Sequence, residues 1–295
     1  MGGLGSVRAG AVEQLMRLVA SDIDGTILRR DGRITERTVQ ALHACEAAGV
    51  ELVFVTGRPA RWLTPLSEQL GHSGTVICSN GALVYDLETM SVVSSEAIRK
   101  ETMLEVREIV RGLFPETAFA AETPAEFVME DAFAEPRHQR LLAEVRHGDL
   151  GDLIDGDEVV KFMAKIEGIT AEEYLRVVAP HVAHLVSITH SAVDMTMLEM
   201  APLGVNKAVT LAEYAHALGI ASAQVVAFGD MPNDVEMLAW AGEGYAMSSG
   251  HPDALAATEL HAPGIEDDGV AQVLERKLAT AVERSGVESK PRRAS

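Results

Sequence analysis

Three short runs in the first third of the chain are almost free of polar side chains: Leu18-Val19-Ala20, Leu52-Val53-Phe54-Val55 and Thr75-Val76-Ile77-Cys78. A strand with one wet face alternates in polarity, whereas a strand that is apolar throughout must be covered on both faces. The stretches between them have helical spacing. Residues 35–48 place Val39 and Leu42 inward, with Thr35 as N-cap and Gly49 as stop; a second helix is expected over about 61–70. Strand, helix, strand, helix, strand is the pattern of a parallel sheet wound by helices. The expected class is α/β, with a doubly wound, Rossmann-like parallel sheet.

This rhythm breaks after about Tyr85. A helix is expected over 96–113 and another over 171–178. Shorter strands are expected over 117–121, 126–129, 159–166, 185–189 and 195–200, with a turn at Asp155-Gly156. This stretch reads as an α+β unit. The parallel rhythm then returns: Asn206 caps a helix to Leu218, 225–228 is an apolar strand, and 233–241 is helical. A short strand over 245–247 and a helix over 270–284 close the chain. The parallel domain is therefore expected in two pieces, 16–84 and 191–284, around an insert at 85–190. Residues 1–15 and 285–295 read as a flexible leader and tail.

Composition narrows the function classes. The chain has 295 residues, 47% apolar and 23% charged, which predicts a packed protein rather than a disordered one. No run of about 18 apolar residues appears, so no membrane association is expected. Met1-Gly2-Gly3-Leu4-Gly5-Ser6 formally meets a myristoylation pattern, but so many glycines read better as a floppy leader. Cys45 and Cys78 fall in apolar settings and read as core thiols, in keeping with a reducing cytoplasm. A net charge of −19 argues against nucleic acid, and the short basic stretch at 290–293 does not reverse it.

The informative polar residues stand just past the apolar strands. Asp22 and Asp24 follow the first, Thr56 the second, and Asp230 the strand over 225–228. In doubly wound sheets that edge is where ligands bind, and helix N-termini there offer N–H groups to anions. Alternate residues of a strand share a face, so Asp22 and Asp24 converge if the extended geometry persists. Two carboxylates together can ligate a divalent cation or divide into nucleophile and acid/base. A carboxylate attacking a phosphate ester needs a cation to offset repulsion between the anions. Asp22 and Asp230 can supply Mg²⁺ ligands, Asp24 the proton, and Thr56 and Lys207 donors to the phosphoryl oxygens.

Taken together, these residues resemble the haloacid dehalogenase superfamily of phosphatases, and more closely its Cof-type, sugar-phosphatase-like branch with a large cap. The motifs that carry the resemblance are Asp22-Ile23-Asp24-Gly25-Thr26, Val55-Thr56-Gly57-Arg58-Pro59, Lys207 within Gly204-Val205-Asn206-Lys207, and Gly229-Asp230-Met231-Pro232-Asn233-Asp234. Ser79-Asn80-Gly81-Ala82 resembles a segment bordering the substrate pocket. The resemblance spans residues 18 to about 278. It implies that Asp22 is nucleophile and metal ligand, and that Asp24 is acid/base with its carbonyl on Mg²⁺. It further implies Asp230 as a metal ligand and Asp234 as holding the metal shell or Lys207. Thr56, Gly57, Arg58, Lys207, Asn80 and Asn233 would bind phosphate or substrate.

The insert lies after the Thr56 motif, where the Cof-type branch carries an α/β cap of the C2B kind. Lys161, Lys165, Arg137, His138 and His190 are its candidate substrate contacts. His181 and His184 lack the acidic or thiol company of a metal site. The expected activity is Mg²⁺-dependent hydrolysis of small phosphate monoesters, sugar phosphates first, through an aspartyl-phosphate. The alternatives are a phosphosugar mutase on the same fold and a silent binding protein; intact Asp22, Asp24, Lys207 and Asp230 weigh against the latter. Oligomeric state is not legible.

Overall fold

A computed structural model describes residues 16–71, 74–134, 145–156, 158–191 and 195–288, the last eight of these by backbone only. In chain order it begins with β1 (Leu18–Ser21), α1 (Glu36–Ala47), β2 (Glu51–Val55), α2 (Thr64–Leu70) and β3 (Thr75–Cys78). There follow β4 (Leu83–Asp86), β5 (Ser91–Ser95), α3 (Lys100–Leu113), β6 (Ala118–Glu122), β7 (Phe127–Met129), β8 (Arg146–His147) and α4 (Leu150–Leu153). Next are β9 (Lys161–Ile166), α5 (Ala171–Val182), β10 (Val186–Thr189), β11 (Thr196–Pro202) and α6 (Lys207–Ala217). The chain closes with β12 (Val225–Gly229), α7 (Val235–Trp240), β13 (Glu243–Met247), α8 (Pro252–Ala256), β14 (Leu260–Ala262) and α9 (Gly269–Glu288). Among the described residues, no helix is long and apolar enough to cross a membrane. The suggested leader and the basic tail at 290–293 lie outside the described residues.

The described residues divide into two compact units, one falling within 1–55, 65–75 and 211–295, the other within 56–64 and 76–210. In the first, five parallel strands run in the order β14-β13-β12-β1-β2. Leu18, Val19 and Ala20 of β1 are buried, as are Leu52 to Val55 of β2 and Val225 to Phe228 of β12. The wholly apolar runs thus sit where covered strands belong. Helix α1 opens as expected: the Thr35 side chain accepts from the Thr38 N–H at 3.2 Å. Its buried face is Thr38, Ala41, Leu42 and Cys45, so Thr38 takes the inward place expected of Val39. Helices α1 and α9 pack together, as do α7 and α8 beside β12 and β13.

In the second unit, β3 lies beside β4, and β4 pairs with β5 as an antiparallel hairpin. Strands β6 to β11 form a six-stranded sheet in the order β10-β11-β9-β6-β7-β8, antiparallel except for the β7–β8 pair, and β11 lies past the expected end of the insert at 190. One face is apolar: Phe119, Ala121, Phe162, Ala164, Leu198 and Met200 pack with Met103, Val106 and Val110 of α3 and Tyr174, Val178 and Val182 of α5. Helix α5 runs past its expected end at 178. Pro180 lies inside it, yet the Ala183 N–H still closes on the Ala179 carbonyl at 2.9 Å, and Val182 falls one turn after Val178 on the buried face. The expected helix over 96–113 begins only at Lys100, because Ile98 is drawn into a bridge with Val159.

The other face of that sheet is where polarity collects. Strand alternation turns Lys161, Met163 and Lys165 of β9 away from the helices, along with Glu199 of β11 and Ala120 and Glu122 of β6. The register sets Glu122 opposite Lys161 and Glu199 opposite Met163. Lys161 therefore has acidic neighbours on both flanking strands.

Candidate active site

Strands β1 and β12 are parallel neighbours, and each ends one residue before an aspartate. The Asp22 N–H donates to the Phe228 carbonyl at 2.9 Å, carrying the ladder one residue past β1. The chain then turns. The Ile23 carbonyl accepts from the N–H groups of Thr26, Ile27 and Leu28 at 3.3, 3.0 and 2.8 Å, and Gly25 adopts φ +83°. Asp22 is 5% exposed, and Asp24, at the start of this turn, is an exposed residue. The carboxylates that gather at Asp22 come from the far part of the chain. Asp22, Asp230 and Asp234 each offer an oxygen, all within 4.8 Å of one another, and all three residues are buried.

Local contacts hold this cluster. The Thr26 hydroxyl donates to Asp230 Oδ1 at 3.1 Å. Gly25 lies so close to the Asp230 carboxylate that a Cβ would collide with it, so the glycine serves both its positive φ and this approach. Past β12, Asp234 Oδ2 accepts from the N–H groups of Asp230 and Met231 at 2.9 and 3.0 Å, folding the loop back on itself. The Asp230 carbonyl accepts from the His251 N–H at 2.7 Å. Asn233 is buried in the same loop. Three buried carboxylates at such separations repel unless a cation or proton is shared, and hard oxygen donors suit a divalent cation. The donor set fits such an ion, with Asp22, Asp230 and Asp234 as the residues able to hold it.

The second unit holds the Thr56-Gly57-Arg58 turn, Asn80 and Lys207. The Arg58 N–H donates to the Thr56 hydroxyl oxygen at 3.1 Å. Asn80 has a left-handed backbone, φ +58°, and its N–H donates to the Thr56 carbonyl at 3.0 Å. Lys207, 1% exposed, opens α6. The helix is capped as expected, since Asn206 Oδ1 accepts from the Val209 N–H at 2.9 Å. Gly81 abuts the Asn206 carbonyl too closely for any side chain, and the Thr210 hydroxyl donates to the Gly81 carbonyl at 2.8 Å. These contacts bring the Ser79-Asn80-Gly81 segment against the start of α6.

Of the candidate contacts in the insert, Lys161 is buried, donating to the Gly57 carbonyl at 3.0 Å and pairing with Glu199 Oε1 at 2.8 Å. Lys165 donates to the Phe133 carbonyl at 2.5 Å and lies over that ring. His190 is buried, whereas His181 and His184 are exposed. Arg137 and His138 lie outside the described residues.

Sequence reading missed Glu199, a lone acid in a strand with no motif around it. Its other oxygen, Oε2, accepts from Asn80 Nδ2 at 2.6 Å, and Oε1 also accepts from the Ser191 hydroxyl at 3.1 Å. Burial by itself would raise the Glu199 carboxyl. The Lys161 charge and the hydrogen bonds from Lys161, Asn80 and Ser191 outweigh it and hold the group below its ordinary range. Glu122 was missed as well; it is paired with Arg61, whose guanidinium lies over Trp62 and Phe127. The one sign of both acids was their parity, odd among apolar neighbours that face a core.

The haloacid dehalogenase-like hydrolase family matches residues 19–274. The HMP-PP phosphatase of Yersinia pseudotuberculosis serotype I is 30% identical over 275 residues, covering 90% of this chain and 97% of that protein. Among solved structures, the HAD subclass IIB sugar phosphatase BT4131 matches with a TM-score of 0.74 at 21% identity, over 88% of this chain and 98% of its own. The phosphatase BT1666 of Bacteroides thetaiotaomicron matches with a TM-score of 0.75 at 21% identity, over 89% and 95%. At those identities the two structures speak for the fold. The family match and the 30% identical relative show that this chain belongs to the haloacid dehalogenase-like hydrolase family.

Proposed function

We propose that the chain is a Mg²⁺-dependent phosphatase of small phosphate monoesters, sugar phosphates foremost, working through a phosphoryl group carried on Asp22. The observation that carries this reading is the convergence of Asp22, Asp230 and Asp234 at the ends of two adjacent parallel strands. An Asp22 carboxylate oxygen attacks phosphorus, and the bond from phosphorus to the ester oxygen breaks. Asp24, exposed and so open to exchange with solvent, gives its proton to the departing oxygen. It then takes a proton from water as that water attacks the aspartyl-phosphate, releasing inorganic phosphate and restoring Asp22. Mg²⁺, when bound by Asp22, Asp230, the Asp24 carbonyl and the shell around Asp234, offsets the negative charge that would keep carboxylate and phosphate apart.

Thr56 and Lys207 are the proposed phosphoryl contacts, with Gly57, Arg58, Asn80 and Asn233 around them. The Thr56 hydroxyl already accepts from Arg58 N–H, so its own proton can be given to a phosphoryl oxygen. The relatives named for HMP-PP and for sugar phosphate support small phosphate esters as substrates. The insert at 85–190 is the proposed cap that selects the leaving group. A reducing, cytoplasmic setting suits Cys45 and Cys78, both free and buried, each thiol pushed up to about 12 chiefly by burial. The test is release of phosphate from p-nitrophenyl phosphate by purified protein with Mg²⁺, abolished by EDTA and restored by Mg²⁺. No release from that ester or from a broad panel of metabolite phosphates would sink the reading.

A further inference from the structure

All three carbonyls of the Thr56-Gly57-Arg58 turn are taken up within the second unit. The Thr56 carbonyl accepts from Asn80 N–H, the Gly57 carbonyl from Lys161 Nζ and the Arg58 carbonyl from Ser79 N–H, each at 3.0 Å. A trans peptide is planar, with its C=O and N–H pointing in opposite directions. Fixing the first two carbonyls therefore aims the Gly57 and Arg58 N–H groups to the other side. Two of the three ties are backbone to backbone. The third rests on a side chain, Lys161, and on what holds it.

Glu199 holds it. Its carboxylate joins Lys161 at 2.8 Å, Ser191 at 3.1 Å and Asn80 at 2.6 Å, so it grips both the lysine behind Gly57 and the asparagine behind Thr56. The fit leaves no slack: a Cβ on Gly57 would lie 3.0 Å from Asn80 Oδ1, 3.5 Å from Glu199 Oε2 and 3.6 Å from Lys161 Nζ. Glu199 is 4% exposed and Lys161 7%. A buried ion pair adds little net stability compared with apolar residues of the same volume, because desolvation offsets the attraction. Stability alone is thus a poor reason for placing this pair behind a glycine turn.

We propose that Glu199 and Lys161 are positioning residues for phosphoryl transfer, fixing the peptide planes of the Thr56-Gly57-Arg58 turn through the Gly57 carbonyl and Asn80. The proposal rests on the phosphatase reading above. Neither residue touches a reacting atom; both act through the turn.

The experiment compares the unmodified chain with Glu199→Gln, Ser191→Ala and the double variant Lys161→Met/Glu199→Gln, using p-nitrophenyl phosphate and Mg²⁺, with urea melts run in parallel. Glu199→Gln is expected to lower kcat about 10- to 100-fold while KM moves less than about threefold, the loss typical of a misplaced binding group. Ser191→Ala, which keeps both charges, should lower kcat by a smaller factor and covers the case in which Glu199→Gln does not fold. The double variant leaves no buried charge unpaired. Its melting should return toward that of the unmodified chain while kcat stays low. Recovery of kcat together with stability, or unchanged kcat in Glu199→Gln and Ser191→Ala, overturns the proposal. No hydrolysis by the unmodified chain overturns the phosphatase reading itself, a result distinguishable from an active chain indifferent to these substitutions.

Discussion

Asp22 stands where the chemistry and the fold meet: it is the first residue past β1, buried, and within 4.8 Å of two other carboxylates. Replacing the oxygen proposed as nucleophile should therefore cost turnover rather than folding. Asp22→Asn is expected to lower phosphate release more than about 10³-fold with an unchanged circular dichroism spectrum. Asp24 and Asp230 separate in a different assay. Asp230 offers a carboxylate to the cluster, whereas Asp24 is assigned to the ion only through its backbone carbonyl, so Asp230→Asn should weaken Mg²⁺ binding by calorimetry far more than Asp24→Asn. Equal losses would refute that division. Gly25→Ala forces a Cβ into both a positive φ and the Asp230 carboxylate, and should destabilise by more than about 1 kcal/mol in urea melts. The residues in the Asp22 and Asp230 motifs were legible because their neighbours in the chain announce them. Glu199 was not, because its partners Asn80 and Lys161 come from other strands and loops, Asn80 lying 119 residues away.

At the scale of elements, covered strands and capped helices were the easiest to read. Thr35 before α1 and Asn206 before α6 both bond back to the third residue on, as their side-chain oxygens require. Thr35→Ala should cost about 1 kcal/mol of stability by urea melting and leave KM unchanged. The β4–β5 hairpin escaped notice for the opposite reason. Every residue of β5 is exposed, so Ser91-Val92-Val93-Ser94-Ser95 carries no burial pattern, and only pairing with β4 makes it a strand. Helix starts slipped where tertiary contacts competed with local spacing, as at Ile98.

For the whole molecule, charge and metal set the conditions of stability. Glu199 sits below its ordinary value of 4.5 in the fold, so the unfolded chain takes up its proton first as pH falls. Its contribution is complete above about 4.5 and is lost as pH drops through the lower, folded value. The unmodified chain should therefore lose stability in that acid window, and Glu199→Gln should flatten that limb in urea melts taken from pH 7 to pH 3. At neutral pH, a cation that binds only the folded cluster stabilises by mass action, by about 2.7 kcal/mol at a hundredfold excess over its Kd. Mg²⁺ should raise the melting temperature, EDTA should reverse the rise, and Asp230→Asn should abolish it.

What the sequence determined by itself was everything carried by near neighbours: which runs are covered strands, that Thr35 and Asn206 cap helices, and which aspartates follow a strand into a tight turn. These depend on side-chain chemistry within a few residues, and that chemistry is written locally. Only the tertiary structure decided how closely the carboxylates meet. The parallel pairing of β1 with β12 brings carboxylate oxygens of Asp22, Asp230 and Asp234 within 4.8 Å of one another. It also decided that Glu199 and Lys161 are buried together rather than solvated. Burial depends on which strands pair and in what register, and no local window of sequence contains that.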